Sequence, residues 1–284
     1  MTDLSFAKYQ ATGNDFLVVA DLAGANPIAA DDAVALCDRW MGVGADGVIR
    51  VTRGADGRFG FELTNADGTQ AETSGNGLRC LGAYLYDRGL VDAAVFEVVT
   101  PAGPRTIELA IDERVVRGAT VGMGVPWFTK AQIPMKGPAW ETFLGQPFDL
   151  GGGLTASASA VSMGNPHLVL FLPEDPERYH VEHMGPALEH HEWFPERTNV
   201  EFARLGSEVV DVRVWERGVG ETLACGTGAC AVAVAANEAG LAPASITVRF
   251  RGGDLRVERA PDGTVRLGGP VGRVFDGTVD PSGL

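Results

Sequence analysis

Apolar and polar positions along the chain fall into short runs with two different periods. Leu17–Ala20, Val95–Val99, Val115–Val121, Leu168–Phe171, Val209–Val214 and Ile246–Phe250 are valine-rich stretches of strand length. Asp31–Trp40 has helical spacing, with Val34 and Cys37 on one face and Asp31 and Asp32 at its start. Leu78–Arg88 and Ala229–Ala239 predict two more helices, stopped by Gly89 and Gly240. The last of these is apolar nearly all round, which predicts burial on every side.

The pattern repeats at one offset. Gly13-Asn14 returns as Gly164-Asn165, Ser74-Gly75-Asn76-Gly77 as Cys225-Gly226-Thr227-Gly228, and Gly89-Leu90 as Gly240-Leu241, each 151 residues later. Three pairs in the same order at one spacing indicate two homologous half-chains, each with a Gly-Asn turn and a glycine-rich entry to a helix. The expectation is an α/β (α+β) fold: two pseudo-symmetric domains, each a curved mixed sheet around a central helix, with the active site in the cleft between them. Gly-Met-Gly-Val-Pro near Met123–Pro126 breaks the pattern, which predicts domains 1–122 and 123–270, with a tail 271–284 returning to the first.

Composition narrows the chemistry. With 284 residues, 45% hydrophobic, the chain can bury a substantial core. A net charge of −14 argues against nucleic acid, which needs a basic footprint. No apolar run approaches a membrane span, and Thr2, Asp3 and Lys8 do not form a secretory leader, so a cytoplasmic protein is expected. Lys8, Lys130 and Lys136 are the only lysines, and none has the setting of a Schiff-base lysine, which lowers the expectation of pyridoxal phosphate. Four cysteines (Cys37, Cys80, Cys225, Cys230) could form two disulfides, but a cytosolic enzyme more often uses cysteine for chemistry.

Three weaker signals are set aside. Gly42–Gly47 satisfies G-x-G-x-x-G but follows a helix and leads into a strand-like run, the reverse of a dinucleotide fingerprint. His180, His183, His190 and His191, with Glu182 and Glu189, lack tetrahedral metal-site spacing and read as a solvated surface; no metal is expected. Cys225 and Cys230 are five apart on a predicted helix and point in different directions, and Cys37 reads as core.

The two glycine-rich helix starts carry the chemistry. A helix N-terminus presents unpaired N–H groups and a partial positive charge that suit a carboxylate. A cysteine there should have its thiol pKa drawn toward neutral, so Cys225 reads as a reactive thiol. Two such starts, each with an acid–base group, describe a two-base device. One group takes an α-proton from one face of an amino acid, and the other returns a proton to the opposite face.

Asn65–Cys80 (NADGTQAETSGNGLRC) and Glu216–Cys230 (ERGVGETLACGTGAC) resemble the two signatures of the diaminopimelate epimerase family. So do Gly13–Phe16 (GNDF), Gly164–His167 (GNPH) and Thr198–Phe202 (TNVEF). The resemblance implies a cofactor-independent isomerase interconverting LL- and meso-2,6-diaminopimelate in lysine and peptidoglycan biosynthesis. Its implied partners are a small amino-acid substrate and a second copy of the chain in a homodimer. Carried over by position, Cys225 matches a catalytic cysteine, and Glu216 and His167 match residues that assist the thiols. Asn14, Asn65, Asn165, Asn199, Glu216 and Arg217 match substrate-holding positions, and Gly75, Asn76, Gly226 and Thr227 match the helix-start donors.

Two departures stand out. The family has cysteine where this chain has Ser74, and Cys80, six residues on and inside the helix, cannot replace it. A serine hydroxyl is a poor acid and base near neutrality, so the step at Ser74 should lose about 3–5 kcal/mol of barrier lowering. Ser74 is either a substitution made to trap substrate or isolate one half-reaction, or a natural variant. A natural variant could be a slow epimerase, or an epimerase, racemase or eliminase of another amino acid that uses Cys225 with Ser74. The second departure is Gly47, where many members carry Gln.

Overall fold

The computed structural model describes residues 3–71, 74–151 and 153–280. Thr2, Glu72, Thr73 and the last four residues of the 271–284 tail, all within segments discussed above, lie outside the described residues. The chain divides into two compact units, 1–122 with 268–284, and 123–267.

In chain order the first unit opens with β1 (Leu4–Ala11), β2 (Asn14–Ala20), α1 (Ala30–Cys37), β3 (Gly47–Arg53), β4 (Phe59–Asn65) and β5 (Gln70–Ala71). It continues with α2 (Gly75–Asp87), β6 (Val95–Thr100), β7 (Gly103–Asp112) and β8 (Val115–Gly124). The second runs through β9 (Gln146–Gly151), β10 (Leu154–Ser162), β11 (Pro166–Phe171), α3 (Val181–Glu189), β12 (Asn199–Leu205), β13 (Val209–Glu216) and β14 (Gly220–Thr222). It closes with α4 (Gly226–Glu238), β15 (Ser245–Phe250), β16 (Gly253–Arg259) and β17 (Val265–Pro270), before β18 (Gly272–Val279) pairs with β1 in the first unit.

The duplication is explicit in the strand pairing. β1–β2 is antiparallel, β2–β3 parallel, β3–β4 antiparallel, β4–β6 parallel and β6–β7 antiparallel. β10–β11, β11–β12, β12–β13, β13–β15 and β15–β16 repeat that series in order. Phe16 opposes Gly47 in the first parallel pair, and His167 opposes Asn199 in the second. Each unit is therefore a mixed sheet with one central helix.

Those central helices, α2 and α4, are buried over Gly75–Leu85 and Gly226–Ala236. Glycine and alanine let the surrounding strands approach closely: a Cβ on Gly82 would stand 2.7 Å from Ile107 Cγ2. Val232 and Val234 on α4 are fully buried and contribute about 1.5–3 kcal/mol each by leaving water. Both helices end as the sequence predicts, with Gly89 and Gly240 in the left-handed conformation (φ +63° and +70°). They start three residues earlier than predicted. The glycines that read as loop form the first turn, because Ser74 and Cys225 cap it from the extended conformation.

Helix α1 is shorter than its predicted span and turns a different face inward. Ala33, Leu36 and Cys37 are buried, whereas Val34 is exposed. The i, i+3, i+4 relation runs from Ala33, which leaves Val34 on the outer side. The helix stops at Asp38, whose Oδ1 accepts from the Trp40 and Met41 N–H groups at 2.7 Å each. Asp31 and Asp32 lie in its first turn, and the cap residue is Ala29. Gly42–Gly47 does lead from α1 into β3.

One helix was not foreseen. Residues 181–189, part of the histidine-containing segment expected to be solvated, form α3. Its histidines are outward, but Glu189 is buried, because its carboxylate accepts from Trp215 Nε1 (2.8 Å) and the Gly218 N–H (2.9 Å). Gly185 lets α3 lie against Trp215; a Cβ there would fall 2.3 Å from the indole. Helix α3 thereby fixes the turn that follows β13. Among the described residues no helix is long and apolar enough to cross a membrane.

Candidate active site

In the second unit Cys225 caps α4. Its extended backbone (φ −124°, ψ 120°) brings Sγ within 3.4 Å of the Gly228 N–H and 3.4 Å of Thr227 Oγ1. Glu216, the last residue of β13, has its carboxyl group near the same thiol and receives the Thr222 hydroxyl on Oε1. Thr222 reaches it because β14 folds back antiparallel on β13, pairing Thr222 with Val214.

A second acid lies behind the thiol. His167 is wholly buried on β11; its Nδ1 is 2.7 Å from Glu201 Oε1 and its Nε2 is 3.0 Å from Asn165 Oδ1. Asn165 Nδ2 is 3.4 Å from Thr227 Oγ1. A Cβ on Gly228 would stand 2.7 Å from Glu201 Oε1, so glycine there leaves room for the carboxylate against the helix start. Asn199, on β12 beside His167, donates Nδ2 to the Pro166 carbonyl at 2.8 Å and accepts the Arg217 N–H at 2.9 Å. The Arg217 side chain is exposed and donates to the Glu196 carbonyl at 3.2 Å.

The electrostatics reverse one expectation. Burial first, then the nearby Glu216 and Glu201 carboxylates, push the Cys225 thiol well above its ordinary value. The Thr227 hydroxyl and Gly228 N–H oppose this without overcoming it. The helix start supplies donors as expected, but two acids and a dry setting outweigh it, so the resting group is a thiol. Burial likewise raises the Glu216 carboxyl; the Thr222 and Cys225 hydrogen bonds and the His167 ring pull it down only in part.

In the first unit Ser74 caps α2 in the same conformation (φ −148°, ψ 116°), its Oγ accepting the Gly77 N–H at 3.0 Å. Asn76 Nδ2 donates to Asn14 Oδ1 at 3.2 Å, and Asn14 Nδ2 donates in turn to Asp46. The buried Arg79 donates to Asn76 Oδ1 at 2.9 Å and to Thr12 Oγ1 at 3.3 Å. Asn14, Asn76 and the α2 start thus form one hydrogen-bonded group. The Asn65 side chain is not bonded into it and donates instead to Thr69 Oγ1 at 3.0 Å in its own turn. Gly47 has no room for the family's Gln, since a Cβ would lie 2.8 Å from the Thr64 carbonyl oxygen.

The structure adds residues that sequence reasoning passed over. Glu201 stands two residues beyond Asn199 in TNVEF, and an acid between Val200 and Phe202 on a buried strand was its signal. Thr222 lies inside the second signature, with only its strand pairing to reveal a role. None of the four cysteines is in a disulfide; Cys37 and Cys80 are core residues whose thiols burial pushes up to about 12. No group of three or more potential metal-binding side chains occurs among the described residues.

Duplicated mixed sheets with paired helix starts place the chain in a fold shared with amino-acid epimerases. The hydroxyproline epimerase from Agrobacterium vitis superposes with a TM-score of 0.70, covering 100% of this chain and 94% of that one, at 15% identity. The sequence comparisons are more specific. The diaminopimelate epimerase family model matches residues 6–129 and 159–272. The diaminopimelate epimerase of Synechococcus sp. (strain JA-3-3Ab) is 45% identical over 283 residues, covering 97% of this chain and 98% of that protein. That of Pelotomaculum thermopropionicum is 42% identical over 280 residues, covering 96% and 98%. The chain belongs to the diaminopimelate epimerase family.

Proposed function

We propose that this chain acts as a cofactor-independent epimerase on LL- and meso-2,6-diaminopimelate, moving the α-proton between Cys225 and the group at position 74. The observation that carries this reading is the Cys225 thiol capping the head of α4 beside the Glu216 carboxyl group. On substrate binding Glu216 accepts the thiol proton, and the Thr227 hydroxyl and Gly228 N–H hold the thiolate that takes the α-proton. Backbone donors at the helix starts, including Gly226, Thr227, Gly75 and Asn76, suit the substrate carboxylate as its α-carbon gains charge. The side chains of Asn14, Asn65, Asn165, Asn199 and Arg217 take the family's substrate-holding positions.

Ser74 divides the reaction unequally. Proton removal and return at Cys225 keep their machinery, while protonation from position 74 relies on a hydroxyl. The same feature supports an alternative reading, in which the chain is an epimerase, racemase or eliminase of another amino acid. Family membership further supports a homodimer working in the cytoplasm.

Proton NMR in D₂O with LL- and meso-diaminopimelate tests the reading. Deuterium is expected at the α-carbon with the native chain and not with Cys225→Ala. If neither the native chain nor Ser74→Cys exchanges the α-proton of any diaminopimelate isomer, the substrate assignment fails. Keto-acid or pyrroline formation from another amino acid would then select the alternative.

A further inference from the structure

Glu201 lies on a strand whose neighbours Val200, Phe202 and Ala203 are fully buried, and it is itself wholly buried. A carboxylate taken out of water costs several kcal/mol unless it is paired. Oε1 is paired with His167 Nδ1, while Oε2 has no hydrogen-bond partner among the described residues. The other side of the imidazole faces Asn165 Oδ1. A carboxylate oxygen and an amide oxygen both accept, so a ring that satisfies the two contacts donates from both nitrogens. With Glu201 ionised, a neutral ring has one donor and would leave one contact with two acceptors and no proton.

The orientation of Asn165 is consistent from its far end. Oδ1 faces the ring, so Nδ2 donates to Thr227 Oγ1, and the Thr227 hydroxyl is then left to donate to Cys225 Sγ. Each link points the same way, from the imidazole to the sulfur.

We propose that Glu201 is a positioning residue that holds the His167 ring doubly protonated. The ring in turn fixes Asn165 and Thr227 as a one-way line of donors ending on the Cys225 sulfur. This rests on the reading of Cys225 as the acid–base group. The titratable groups around the ring are Glu201 from β12, Glu216 from β13 and Cys225 at the start of α4. With Glu201 made neutral, the buried cation loses its paired carboxylate and the ring gives up a proton. Where the remaining proton stays on Nδ1, Nε2 becomes an acceptor, the Asn165 amide turns over, and Thr227 is no longer held with its hydrogen toward sulfur.

The test is ¹⁵N NMR of histidine-labelled protein at about pH 8, where an unperturbed imidazole with pKa near 6.5 is almost entirely neutral. One histidine, assigned by its loss in His167→Gln, is expected to show both ring nitrogens protonated, and Glu201→Gln is expected to leave only one protonated. Glu201→Asp should recover part of the doubly protonated signal. α-Proton exchange should fall roughly tenfold or more in kcat for Glu201→Gln, with KM little changed. Thr227→Ala should slow exchange while leaving the His167 signal unaltered. A neutral His167 in the native chain overturns the proposal without any variant having to fold, as does a Glu201→Gln spectrum unchanged from the native one. Absence of exchange in the native chain with the His167 signal as expected would count against the proposed reaction and leave the Glu201–His167 assignment standing.

Discussion

The starts of α2 and α4 share a backbone and differ in chemistry. Both are capped from the extended conformation by a residue whose side chain accepts the N–H three positions on. Around Cys225 stand Glu216, Thr222, Thr227 and the His167–Glu201 pair. At the matching places 151 residues earlier the chain has Ser74, Asn65, Ala71, Asn76, Phe16 and Arg50. Thr222 and Ala71 occupy the same register, opposite Val214 and Leu63, yet only Thr222 can hold a carboxylate. A Cβ on Gly77 would meet the Phe61 ring at 3.1 Å, where one on Gly228 meets a buried acid. Both helix starts present backbone donors, and the thiol with its neighbouring carboxyl groups stands at the second.

Four substitutions probe this contrast. Cys225→Ser makes the two caps alike and removes the only cap thiol; α-proton exchange should fall by about 10²–10⁴-fold, read by NMR in D₂O. Thr222→Ala copies Ala71 into the second unit. The Thr222 hydrogen bond lowers the Glu216 carboxyl, so its loss raises that group further. Because Glu216 must be ionised to accept a proton, the acidic limb of the pH–rate profile should move to higher pH, with roughly tenfold slower exchange at neutrality.

The smallest effect concerns stability. Gly228→Ala and Gly77→Ala each gain up to about 1 kcal/mol of helix propensity. At 228 the methyl group is pressed to 2.7 Å from Glu201 Oε1 and also meets the Cys225 side chain, whereas at 77 it meets the Phe61 edge and Ser74 Cβ at no less than 3.1 Å. Urea unfolding should show Gly228→Ala less stable than the native chain by about 1–2 kcal/mol. Gly77→Ala should stay within about 1 kcal/mol of it.

Much of this was legible in the chain because glycine and asparagine mark backbone geometry that side-chain patterns do not hide. The 151-residue offset exposed the duplication, and a fully apolar helix predicted the burial of α4. Three features were not legible. The helix over 181–189 escaped because its charged outer face masks Val181, Gly185 and Leu188, which face inward onto Trp215 and the core. On α1 Cys37 faces inward as expected, but its companions are Ala33 and Leu36 and not Val34, because positions 33 and 34 both lie one turn before 37 and apolarity alone does not choose between them. The Cys225 thiol was expected to be acidic from its place at a helix start. Its pKa rises first because the thiol is buried, and then because Glu216 and Glu201 arrive from strands that local sequence does not connect to it.

The central claim is that one unit moves the α-proton efficiently and the other does not. The direct measurement compares deuterium exchange with inversion for LL- and meso-diaminopimelate, in the native chain and in Ser74→Cys. The account predicts that the native chain labels the α-carbon of one isomer with retention at least about 10²-fold faster than it inverts it. Ser74→Cys should close most of that gap by raising inversion. Equal rates of exchange and inversion in the native chain, or no gain in inversion from Ser74→Cys, would contradict it.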